Sequence, residues 1–148
     1  MKQCASARQN KYRRLSAARS LKRAVHPGKI SPHQFIMTNE AILVITNLPD
    51  REAALKLAHK LVEARIAACV NVMAECTSVY RWKGKIETTP EVPVFIKTLK
   101  MHFPRVEQMV RQHHPYELPE LIAVTISDGL KAYLDWLAIE TQSLTISG

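Results

Sequence analysis

The feature that most limits the fold is a period of two that begins at Ala68 and is still running at Ile96. Ala68, Val70, Val72, Ala74, Cys76, Ser78, Tyr80 and Trp82 fall on one parity, with Asn71, Glu75, Thr77 and Arg81 on the other. After Gly84 the alternation resumes, with Ile86, Thr88, Val92, Val94 and Ile96 set against Glu87, Thr89, Glu91 and Lys97. Successive side chains of a strand point to opposite faces, and two such runs about a glycine form a β-hairpin. Directly opposed residues of an antiparallel pair share a face. Even positions should therefore pair with even ones, which asks for a three-residue loop, Trp82-Lys83-Gly84, with Gly84 in the left-handed conformation. Each arm is then about fourteen residues long, more than twice the usual ~5–6. Pro90 and Pro93 remove two ladder donors and should mark a bend or an edge. A body of this size cannot cover both arms along their whole length. The overhang, with Tyr80 and Trp82 near its tip, exposes apolar surface and unpaired edge in a monomer, so burial against other subunits is expected.

The rest of the chain supplies what a hairpin needs to pack on. Ala41 to Thr46 is a continuous aliphatic run, the pattern of a central strand covered on both faces. Asp50 follows Pro49 and can cap a helix to about residue 65, with Ala54, Leu55, Ala58, Leu61, Val62 and Arg65 or Ile66 at helical spacing. Pro104 suits the first turn of a second helix whose stripe is Phe103, Val106, Met109 and Val110, and Pro115 ends it. Leu121 to Ile126 reads as another buried-type strand, and Leu130, Tyr133, Leu134 and Leu137 as a last amphipathic helix after Gly129. The order is βαββαβ plus a terminal helix: an α+β, ferredoxin-like sandwich with an extended β-hairpin.

The net charge of +8 over 148 residues suggests nucleic acid until it is divided along the chain. Residues 1–39 hold nine bases (Lys2, Arg8, Lys11, Arg13, Arg14, Arg19, Lys22, Arg23, Lys29) and no acid, and residues 40–148 carry a net −1. The basicity belongs to a tail. Residues 1–36 lack periodic apolar spacing and read as a disordered basic extension, with residues 37–148 as the folded domain. An Arg-rich, acid-free start also resembles an organelle transit peptide, and a translation start at Met37 is the third reading. No apolar run is long enough for a membrane span. Cys4, Cys69 and Cys76 form no CxxC pair, which argues against a zinc knuckle or disulfide framework and fits a reducing cytoplasm. Strand parity places Cys69 and Cys76 on opposite faces.

The stretch Arg111-Gln112-His113-His114-Pro115-Tyr116-Glu117-Leu118-Pro119-Glu120-Leu121 gathers two imidazoles, a phenol and two carboxylates between a helix and a strand. On a helix, adjacent histidines project ~100° apart. Chelation by the pair needs a loosened last turn or ligands from another subunit. The alternative role is structural, since histidines at a helix C-terminus favour its dipole and satisfy its end carbonyls. Tyr116, Glu117 and Glu120 can meet a histidine or Lys97 across a subunit cleft, or line a polar interface. No Ser-His-Asp order, P-loop or HExxH motif is present, so no enzyme is expected. RNA binding asks for exposed aromatics on the sheet, and only Tyr80 and Trp82 offer them, near the hairpin tip. Nucleic acid is thus expected only non-specifically, through the basic extension.

Tyr80-Arg81-Trp82-Lys83-Gly84-Lys85, the strand end Ile96-Lys97-Thr98, and His113-His114-Pro115-Tyr116 followed by Pro119-Glu120-Leu121 together resemble the CutA divalent-cation tolerance proteins, over about residues 40–140. The resemblance implies a ferredoxin-like protomer in a homotrimer held by its long hairpins, PII-like in architecture. It also implies a role in copper or other divalent-metal tolerance and response, by binding a metal or a small ligand without catalysis. The alternative is a PII-like signalling module acting through a partner protein. Residue by residue, the family's metal-binding histidine pair falls on His113 and His114, and its thiol position on Thr46. Threonine is not a soft ligand, so copper or another divalent cation is expected to bind weakly. Tyr80, Trp82, Lys97, Tyr116, Glu117 and Glu120 are the expected residues of a ligand cleft or interface.

Overall fold

A computed structural model describes residues 40–142. The expected extension, residues 1–36, and the ends of the expected domain, residues 37–39 and 143–148, lie outside the described residues. Strand β1 (Ala41–Leu48) leads to helix α1 (Arg51–Glu63), strands β2 (Cys69–Val72), β3 (Cys76–Trp82) and β4 (Lys85–Leu99), helix α2 (Phe103–His113), strand β5 (Ile122–Thr125) and helix α3 (Lys131–Glu140). The sheet order is β2-β4-β1-β5, with β3 also paired to β4. All of these pairings are antiparallel. With β2 and β3 counted as two parts of one hairpin arm, both paired to β4, this is the βαββαβ order read from the sequence, with the terminal helix added.

One sheet face carries the main core. Ile42, Val44 and Leu48 of β1 and Val92, Val94 and Ile96 of β4 pack with Ala54, Leu57 and Leu61 of α1 and Val106 and Val110 of α2. Asp50, in an extended conformation, starts α1 by accepting the Ala53 amide at 2.8 Å. The helix closes with Arg65 at φ 54°. The Ile66 amide bonds the Leu61 carbonyl and the Arg65 amide that of Val62, the paired bonds of a Schellman end. Leu57 belongs to the buried stripe of α1, whereas Leu55 and Val62 are 40% and 43% exposed. At the opposite face, α3 covers one end of the sheet through Leu137, which clusters with Ala41, Leu99 and Ala68.

Two expectations about the strands are corrected. Strand β5 is an edge strand rather than a buried one, with Ile122 48% and Val124 51% exposed. The hairpin loop has two residues, not three: Trp82 pairs with Lys85, and Lys83 and Gly84 both have positive φ, 47° and 85°. That is the backbone of a type I′ turn, whose twist matches the strands it joins. The parity conflict is resolved farther down the arm. β2 pairs Val72 with Val94, but β3 pairs Cys76 with Glu91, so four steps on one strand answer three on the other. The extra residue sits in the irregular segment 73–75, a β-bulge opposite Pro93, whose carbonyl accepts the Met73 amide at 2.9 Å. It turns the arm over. Tyr80 and Trp82 leave the face of Val70 and Val72, and Cys69 and Cys76, opposed to Lys97 and Glu91, lie on one face instead of two. Pro90 lies beyond the last β1 partner, Val92, where β4 has a free edge on that side, as its missing donor requires.

Candidate functional site

Helix α2 stops because Pro115 cannot continue it and His114 leaves the helical region, at φ −82° and ψ 132°. The freed His114 ring turns back on the end of β1: its Nε2 lies 2.7 Å from the Asn47 carbonyl and its Nδ1 3.1 Å from the Tyr116 amide. An amide can only donate, so Nδ1 is the acceptor and the ring proton resides on Nε2, donated to Asn47. Both nitrogens are committed and the residue is buried. His113, by contrast, ends the helix in solvent. The two adjacent imidazoles therefore have different environments: one ties the helix end to the strand, the other is accessible.

The turn fixed by His114 carries residues 115–120 over the hairpin face that the bulge has turned toward it. Between them lies a cleft of about 830 Å³, lined by Tyr80, Trp82 and Glu91 from the hairpin, Asn47 from β1, and Tyr116, Glu117 and Glu120 from the loop. Tyr116 hydrogen-bonds Glu91; burial pushes its phenol above the ordinary value of 10, and the Glu91 charge adds to the shift. Asn47 donates to Glu120 at 2.5 Å, and Lys83 pairs with Glu117 at 3.7 Å. The Lys83 ammonium also lies 5.4 Å from the centre of the Trp82 ring, within cation–π range.

Five of the residues expected at a cleft or interface, Tyr80, Trp82, Tyr116, Glu117 and Glu120, do line this cleft. Within the chain, the partners of Tyr116, Glu117 and Glu120 are Glu91, Lys83 and Asn47. Lys97 stands apart, hydrogen-bonded to Asn71 and 3.7 Å from the Cys69 sulfur. Thr46 is fully buried on the core face, while His114 is held by the backbone of the next residue. Among the described residues, no three His, Cys, Asp or Glu side chains converge to hold a metal ion. Sequence reasoning missed Glu91 because its odd position assigned it to an outward polar face, yet it is only 6% exposed. A carboxylate between two strand prolines was the available signal.

A family model described as "CutA1 divalent ion tolerance protein" matches residues 42–140. The divalent-cation tolerance protein CutA of Thermus thermophilus is 41% identical over 102 residues, covering 69% of this chain and 98% of that protein. Protein CutA of Mus musculus is 43% identical over 100 residues, but the match spans only 56% of the mouse protein. Among solved structures, CutA from Xylella fastidiosa superposes with a TM-score of 0.68 at 41% identity, covering 70% of this chain and 99% of that one. CutA1 from Oryza sativa gives 0.69 at 36% identity, over 72% and 97% of the two chains.

Proposed function

This chain belongs to the CutA1 divalent ion tolerance family, and on that premise we propose that it is a homotrimeric, cytoplasmic divalent-metal tolerance protein that binds a metal ion or small ligand without catalysis. The observation that carries the reading is the cleft itself. It is concave, mostly apolar and set with a few polar groups, as ligand sites are, and its walls are the residues of the family-like motifs. Assembly through the hairpin is supported by the exposure of Val79 (66%) and Ile86 (67%), two large apolar side chains on the distal arms. Cys69 and Cys76 are free thiols, which supports a reducing compartment.

For the metal, the positions that match the family's site, His113, His114 and Thr46, supply imidazole without thiolate, a donor set that suits Cu(II) or Zn(II) better than Cu(I). His113 is the accessible ligand, and His114 reaches an ion only by releasing Asn47 and Tyr116. A metal held by His113 takes its remaining ligands from another subunit or from water, which makes binding weak. The test is Cu(II) and Zn(II) titration of the wild type, His113→Ala and His114→Ala. The expected result is loss of binding in His113→Ala, and retained binding with lowered fold stability in His114→Ala. Undiminished binding in His113→Ala would overturn the assignment.

A further inference from the structure

The three carboxylates of the cleft are not equivalent. Glu117 has the Lys83 ammonium as its partner and Glu120 has the Asn47 amide. Glu91, the most buried of them, has the neutral hydroxyl of Tyr116, and none of the ion pairs among the described residues includes it. A buried carboxylate without a compensating cation is costly. At the rim, the chain shows what such a group accepts: Lys83 places one ammonium 5.4 Å from the Trp82 ring and 3.7 Å from Glu117. The buried end repeats the same kinds of group, a carboxylate with the aromatic rings of Tyr80 and Tyr116, and among the described residues of one chain no ammonium is paired with it.

We propose that the cleft takes a small organic cation, an ammonium on an apolar or aromatic body, with Glu91 as its counter-charge and Tyr80 and Tyr116 as ring walls. This rests on the reading of the cleft as a ligand site and names the class of ligand. A bare divalent ion fits less well. It needs several oxygens converging at ~2.0–2.6 Å, whereas no three ligating side chains converge among the described residues and the cleft of about 830 Å³ has room for a molecule. An anion would meet three carboxylates. A neutral ligand would leave Glu91 uncompensated.

The experiment is calorimetric titration of the full-length protein at neutral pH with phenethylammonium, with 2-phenylethanol as the same body without charge, and with Zn(II). Saturable binding is expected for the amine, not for the alcohol. Loss of one charge-assisted contact in Glu91→Gln should weaken amine binding by about tenfold or more. Tyr80→Leu, which keeps an apolar side chain at a position 40% exposed within the chain, should weaken it several-fold through the lost cation–π contact. This second variant decides the matter if Glu91→Gln does not fold. Equal affinity for alcohol and amine, or unchanged amine affinity in either variant, overturns the cation assignment while leaving the cleft a ligand site. Failure of both organic probes overturns the cleft reading too. Zn(II) binding that is lost in Glu91→Gln overturns the proposal in favour of a metal.

Discussion

Two buried threonines on the core face of the sheet make a matched test of what a hydroxyl does in this core. Thr46 and Thr98 are both fully inaccessible to solvent. The Thr98 hydroxyl donates to the Ile66 carbonyl at 2.5 Å, tying β4 to the segment leaving α1. The Thr46 hydroxyl has no partner among the described residues. Valine has the same branched shape with a methyl in place of the hydroxyl, so each Thr→Val change alters polarity at nearly constant volume. A buried hydroxyl without a partner costs about 1–3 kcal/mol, and Thr46→Val should recover that amount, with a further small gain from burying the methyl. Thr98→Val should lose about 1–3 kcal/mol, because the Ile66 carbonyl is left without its donor. The two variants are thus expected to lie about 2–6 kcal/mol apart, with opposite signs relative to wild type. Urea denaturation followed by far-UV circular dichroism measures this, at one fixed protein concentration because assembly couples to folding. An equal change in the same direction for both variants would refute the reasoning, as would a Thr46→Val midpoint below wild type.

Other outcomes follow from single contacts. Asp50→Ala removes the α1 cap and should cost about 0.5–2 kcal/mol, read as a lower denaturation midpoint with an unchanged slope. His102 is buried, and burial with the nearby Arg105 charge holds its imidazole below the ordinary 6.5, against a hydrogen bond to the Thr141 backbone. The unfolded chain therefore binds the proton more readily, so this contribution is present above pH ~6.5 and lost as pH falls from there toward the folded value; a His102→Gln variant whose stability falls as steeply as wild type over that range would refute it. Sedimentation should show a trimer at micromolar concentration, and Trp82→Ala should loosen it; a stable monomer, or an unchanged melting temperature in the variant, would count against burial of the hairpin tip between subunits.

Much of the fold was legible because its signals are local. The aliphatic run of β1, the Asp50 cap, Pro104 in the first turn of α2 and the alternation around Gly84 each act within a few residues. The misreadings share a cause, a local pattern decided by a distant partner. Leu121 to Ile126 has the composition of a buried strand, but its place at the sheet edge is set by topology. The apolar spacing of α1 admitted Leu55 and Val62, and only the angle at which the helix meets β1 and β4 selects Leu57 in their place. Parity along the hairpin arm assumed an unbroken ladder, while Met73-Ala74-Glu75 contains no glycine to announce a bulge. Of the site, the aromatic and acidic residues were visible as types. Their convergence was not, since it needs the bulge to bring Tyr80 and Trp82 onto the face of Glu91 and the His114 ring to pin the loop to Asn47.

That inserted residue also bears on how such a protein can change over generations. Substitution alters one wall of the cleft at a time, and each altered residue must still fit neighbours already in place. Loss of one residue between Met73 and Glu75 would join β2 and β3 into one unbroken strand, because the steps from Val72 to Cys76 and from Val94 to Glu91 would then be equal. Every pair from Cys76 with Glu91 to Trp82 with Lys85 would survive, so Ser78, Tyr80 and Trp82 would keep their face. The lineage can thus gain or lose a residue here, and with it the local kink, without giving up the aromatic lining of the cleft.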